Sequence, residues 1–228
     1  MSILGAAHAC GTKAHAVVRA SLCLSLVCAM SACASAPRRS DRNPSDAPAQ
    51  VAAPDAFFAA IRAHCGKAYA GIVRADTPPP ANSPFADRPL VMHVRECGDD
   101  EIRIPFHVGE DRSRTWVLTR TASGLRLKHD HRHHDGSPDA VTQYGGDAAS
   151  TGTAVRQEFP VDSESVENFL ANGLKASIRN TWAIEIERDR RFVYELSRPD
   201  GRLFRVEFDL DRPVPAPPAP WGGGSSAD

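Results

Sequence analysis

Between Lys67 and Leu210 apolar and polar residues alternate in short runs, the period of strands with one buried face. Tyr69 to Arg74 predicts a first strand. Leu90, Met92 and Val94 alternate with Val91, His93 and Arg95 in a second, which ends near Cys97. Ile102, Ile104 and Phe106 alternate with Arg103 and His107 in a third, where Pro105 requires an edge position or a bulge. Thr115 to Asp135, TWVLTRTASGLRLKHDHRHHD, predicts a β-hairpin turning at Ala122-Ser123-Gly124. Tyr144-Gly145-Gly146-Asp147 predicts a tight turn, and Ala154 to Phe159 a sixth strand. Three strands with clean alternation follow. Their apolar faces are Trp182/Ile184/Ile186, Phe192/Tyr194/Leu196 and Phe204/Val206/Phe208/Leu210.

The period changes to that of a helix in two places. Pro54 and Asp55 open a short helix with Phe57, Phe58 and Ile61 on one side. Asp162 to Asn172 predicts a second, capped by Asp162 or Ser163, with Val166, Phe169 and Leu170 as its apolar stripe. About nine antiparallel strands joined mostly in sequence, with two short helices, predict a mainly β fold. A closed meander barrel removes unpaired edges; a two-sheet β-sandwich is the alternative. A helix before the first strand and another late in the chain give a layout that resembles the lipocalin-like (calycin) architecture, without the G-x-W signature near the first strand.

Composition divides the 228 residues into four parts. Lys13, His15 and Arg19 precede an apolar run, Ala20 to Met30, too short to span a bilayer and of the length of a signal-peptide core. Residues 1–32 are therefore expected to be a signal peptide. Residues 33–53, rich in Pro, Ser and Ala, read as a disordered tether, 54–210 as a single β domain, and 211–228 as a disordered Pro/Gly/Ser-rich tail. Met30-Ser31-Ala32-Cys33 resembles the lipobox of bacterial lipoproteins, with Met30 where leucine is preferred. That resemblance implies cleavage before Cys33 and lipidation of its thiol. With Ala34 after the cysteine, it also implies an outer-membrane lipoprotein facing the periplasm or cell surface. Cleavage after Ala34 is the competing reading and gives a soluble periplasmic or secreted protein. In either case Cys65 and Cys97 remain as an even pair in an oxidising compartment and are expected to form a disulfide.

Longer strings carry a second resemblance. VMHVREC, DDEIRIPFHVGEDRSRTWVLTRT, GLRLKHDHRHHDGSPDAVTQYGG, RQEFP and FRVEFDL together are similar to a group of small exported bacterial proteins without an assigned activity. The likeness implies an exported, lipid-anchored protein and transfers no catalytic residues.

Candidate chemistry concentrates at the end of the hairpin. His129, His131 and His133 occupy alternate positions, so one face of the strand would carry all three, neighbours about 6–7 Å apart. With an oxygen ligand, and with His93 or His107 approaching from other strands, they are candidates for a transition metal such as zinc. Otherwise they form a solvated strand end. Trp116 and Trp182 fall on apolar faces, as core residues or as walls of a ligand pocket. Nucleophile elbows, H-E-x-x-H, P-loop and dinucleotide fingerprints are absent, so no residue is assigned to catalysis. A formal net charge of −1 without a basic stripe argues against a nucleic-acid partner. The expected partners are a membrane through the lipid anchor, and a small apolar ligand or another envelope protein. A metal-binding protein or metal-dependent hydrolase built on the three histidines is the alternative.

Overall fold

Alternation does what it predicts: the inward residues of successive strands form one apolar lining, and most charged residues stay on the outside, Arg114 and Arg120 toward the two ends of one strand excepted. The structure, a computed structural model, describes residues 52–224. The expected signal peptide, Cys33 and the tether as far as residue 51 lie outside the described residues.

Among the described residues eleven strands build one antiparallel sheet: β1 (Ala68–Thr77), β2 (Leu90–His93), β3 (Glu96–Cys97), β4 (Glu101–Val108), β5 (Asp111–Thr121), β6 (Gly124–His131), β7 (Tyr144–Asp147), β8 (Arg156–Pro160), β9 (Thr181–Glu187), β10 (Arg191–Ser197) and β11 (Leu203–Val214). The order is β7-β6-β5-β4-β2-β1-β11-β10-β9-β8, with the short β3 beside β4. It is a meander whose first and last strands pair, curled into a nearly closed barrel. Pro105 is interior to the sheet rather than at an edge. It lies opposite the interruption between β2 and β3, where the register with β4 shifts. A missing N–H there leaves no ladder partner orphaned.

The seam of the barrel lies between β7 and β8. Asp162 N–H donates to the Gly145 carbonyl (2.9 Å) and Ala149 N–H to the Glu158 carbonyl (3.1 Å), the two ends of one antiparallel register. Between them Pro160 has no N–H to give, which leaves the ladder incomplete. Tyr144–Asp147, expected as a turn, is thus the strand that brings the sheet round. Its glycines answer to space. A Cβ on Gly146 would run into the Pro160 carbonyl, and one on Gly145 into the Leu127 carbonyl. Helix α2 (Ser163–Ala171) staples the seam. Asp162 caps it by accepting from Ser165 N–H (2.8 Å), and the Ser165 hydroxyl bonds both the N–H and the carbonyl of Gly145 (2.8 and 3.2 Å).

The two ends of the barrel differ. Helix α1 (Ala53–Arg62) plugs one, burying Phe57, Phe58 and Ile61 completely. The Arg120 guanidinium lies 4.4 Å from the centroid of the Phe58 ring and also pairs with Asp55. A Cys65–Cys97 disulfide, Cα atoms 6.2 Å apart, ties the chain just after α1 to β3. Outside, Arg156 and Arg205 bridge Glu185 and Glu195 across β8 to β11.

The expected disordered tail is different in its first part. Residues 211–214 continue β11, and the following stretch lies along the outside of β4–β6. Trp221 N–H donates to the Arg112 carbonyl (3.1 Å), its ring packs edge-on to His134 (5.2 Å), and Arg95 donates to the Gly224 carbonyl (2.9 Å). Proline and glycine allow this extended path, and one tryptophan fixes it.

Candidate functional site

At the end opposite α1, the inward side chains leave a cavity of about 250 Å³. It is reached from the end where β5 and β9 begin and where β10 turns into β11. The walls are aromatic. Trp116 stacks on Tyr194 (4.4 Å between centroids) and on Phe106 (4.8 Å). Phe85 folds in from the loop after β1 and stacks on Phe204 (4.4 Å). Trp182, fully buried, lies 5.0 Å from the His129 ring, and its indole N–H has no hydrogen-bond partner among the described residues.

Among these rings runs a short polar chain. His129 is 3 % exposed. Its Nδ1 lies 3.0 Å from the Tyr144 carbonyl, which can only accept, so Nδ1 carries the proton. Nε2 therefore accepts from the Tyr194 hydroxyl at 2.8 Å. Burial pushes the His129 pKa down to about 3, outweighing the bond to Tyr144, and drives that of the Tyr194 phenol well above its usual value. The pair is neutral at ordinary pH, and both nitrogens of His129 are engaged. His131 Nε2 bonds the Tyr144 hydroxyl at 3.1 Å. Burial, then the positive charge of Arg114, lowers its pKa to about 4. Desolvation of the phenol raises Tyr144 to about 12.

The mouth is basic. Arg114, Arg198 and Arg202 line it, and among the described residues none that lines the cavity carries a carboxylate. Asn180, 4 % exposed, sits behind Arg198, held in the turn that follows the 3₁₀ segment Lys175–Arg179. Leu174 and Ser177 form part of the rim.

Of the residues singled out in the sequence, Trp116, Trp182, His129 and His131 come together around this cavity. His133 does not. Strand β6 ends at His131, so the alternation that would align the third imidazole stops one step short. His133 is 58 % exposed on the following loop, 3.9 Å from Asp139. His93 and His107 also stay away. On β2 and β4 the inward set is Leu90, Met92, Ile104 and Phe106, so both imidazoles face the outside of the sheet. There burial, then the charge of Arg112, lowers His107 to about 4. Among the described residues no three His, Cys, Asp or Glu side chains are grouped to hold a metal ion. Sequence reasoning missed Tyr144, Asn180, Arg198 and Phe85 as site residues. The visible signal was a basic pair, Arg198 and Arg202, flanking the Pro-Asp-Gly turn at the head of an apolar hairpin. No family model, no curated protein and no solved structure matches this chain.

Proposed function

We propose that this chain is an exported binding module whose barrel takes up a small, largely apolar ligand at its open end. The observation that carries the reading is the aromatic cavity of about 250 Å³, walled by Trp116, Trp182, Tyr194 and Phe204 and holding one neutral His129–Tyr194 pair. Concave, mostly apolar sites with a few placed polar groups are the usual form of small-molecule pockets. An apolar cavity of about 150 Å³ accommodates benzene, so this one has room for a single ring with a short substituent. Export is supported by the basic and apolar leader of residues 1–32 and by the Cys65–Cys97 disulfide, which suits an oxidising compartment. In this reading the anchor is Cys33; palmitate labelling that survives Cys33→Ala would remove it.

The cavity is tested with a neutral probe. Phenylacetamide is titrated into ¹⁵N-labelled protein while the three indole N–H resonances are followed. Saturable shifts of Trp116 and Trp182, with Trp221 unmoved on the outside of the barrel, are expected. Unchanged Trp116 and Trp182 signals at millimolar probe would sink the reading.

A further inference from the structure

The three arginines at the mouth are not equivalent. Arg114 is held by Asp111 at 2.5 Å. Arg202 is held by Asp76 at 2.5 Å and also donates to the Thr77 and Pro78 carbonyls, tying down the loop that carries Phe85. Arg198 has no carboxylate within 4 Å among the described residues. Its Nε donates to Asn180 Oδ1 at 2.6 Å, and among the described residues its guanidinium makes no other hydrogen bond. Asn180 thus orients the group and leaves its two terminal nitrogens unclaimed. That fork matches a carboxylate in a bidentate pair.

We infer that the cavity takes a small aromatic or apolar monocarboxylate, with its ring on the Trp116–Tyr194 wall and its carboxylate on Arg198 at the mouth. This deepens the binding reading above and rests on it. Charge matching sets the valence. Two of the three mouth arginines are neutralised by Asp111 and Asp76, so one positive charge remains. One carboxylate cancels it; a dianion overshoots, and an uncharged ligand leaves it bare. Size sets the body, since about 250 Å³ holds one ring and a short acid arm rather than a long acyl chain. Electrostatics points the same way. Desolvation is the main cause that lowers the pKa of Arg198; Asp200 opposes it, and Arg202 and Arg179 add smaller contributions to the lowering. A bound anion relieves that strain on the cation.

Calorimetric titration of the full chain with phenylacetate and with phenylacetamide, isosteres that differ in charge, tests the inference. Wild type should bind phenylacetate roughly ten- to a hundredfold more tightly, the worth of a charge-assisted hydrogen bond. Arg198→Gln should bring the ratio close to one, weakening phenylacetate by most of that factor and phenylacetamide far less. Arg198→Lys, which keeps the charge and loses the fork, should retain part of the preference. Equal affinities in wild type, or a preference that persists in Arg198→Gln, overturn the carboxylate site while the cavity reading stands. Failure of both ligands to bind wild type overturns both readings. If Arg198→Gln loses both ligands by misfolding, the lysine variant decides, and an undiminished wild-type ratio in it counts against the site.

Discussion

Acid should destabilise this barrel through one buried imidazole. His129 is neutral in the fold, with its pKa depressed to about 3 by burial; unfolded, it titrates near ~6.5. Between those values the unfolded chain holds a proton that the folded chain does not. Stability is therefore fully present above about pH 6.5 and falls as pH drops toward 3. From pH 7 to pH 5 the loss from this group alone is about 2 kcal/mol. That figure is set by the unfolded value, so any folded pKa below about 4 gives nearly the same result. The assay is urea unfolding of wild type and His129→Gln at the two pH values. Other buried histidines, His131 and His107 among them, titrate in both proteins and cancel in the comparison. Wild type should lose about 2 kcal/mol more than the variant, roughly a 1 M shift of midpoint for a slope near ~2 kcal/mol/M. Equal losses would mean that His129 is charged or hydrated in the fold, and the neutral His129–Tyr194 pair would have to be given up.

Two further outcomes follow from the closures of the barrel. Replacing Cys65 and Cys97 together by alanine removes a loop constraint worth roughly 3–4 kcal/mol and should lower the Tm by roughly 10 °C; a drop under about 3 °C would show that the link carries little of the stability. Gly146→Val places a branched side chain against the Pro160 carbonyl at the seam. It should cost about 1–3 kcal/mol and speed hydrogen exchange at the Ala149 and Asp162 amides, whereas unchanged exchange there would mean that the seam is not closed by those two bonds.

The meander and its inward faces were legible because each of the main strands repeats a two-residue period long enough to override local exceptions. Trp116, Trp182 and the Phe192–Tyr194 face land where alternation puts them. What escaped is short or compositionally disguised. Strand β7 is four residues with two glycines, the composition of a turn, and only the closeness of Pro160 and Leu127 explains why glycine is needed there. Residues 215–224 look like linker because a single tryptophan docks them. His133 was grouped with its neighbours because alternation says nothing about where a strand stops. The mouth was invisible for another reason: whether an arginine is neutralised depends on partners such as Asp76, Asp111 and Asn180, brought in by other elements.

Pairing of β1 with β11 has a consequence for how the chain folds. The runs from β1 to β7 and from β8 to β11 are each built from near neighbours in sequence and can assemble locally. The pair that joins them, from Ala68 opposite Val214 to Thr77 opposite Leu203, links the two ends of the domain. Its formation carries the largest loop-closure entropy in the molecule and should limit the rate of folding. Until the twelve residues of β11 are available, β1 presents an open edge to any other chain nearby. A nascent or partly unfolded molecule is therefore most prone to associate through Ala68–Thr77, and a truncation inside β11 should aggregate through that strand rather than fold into a smaller barrel.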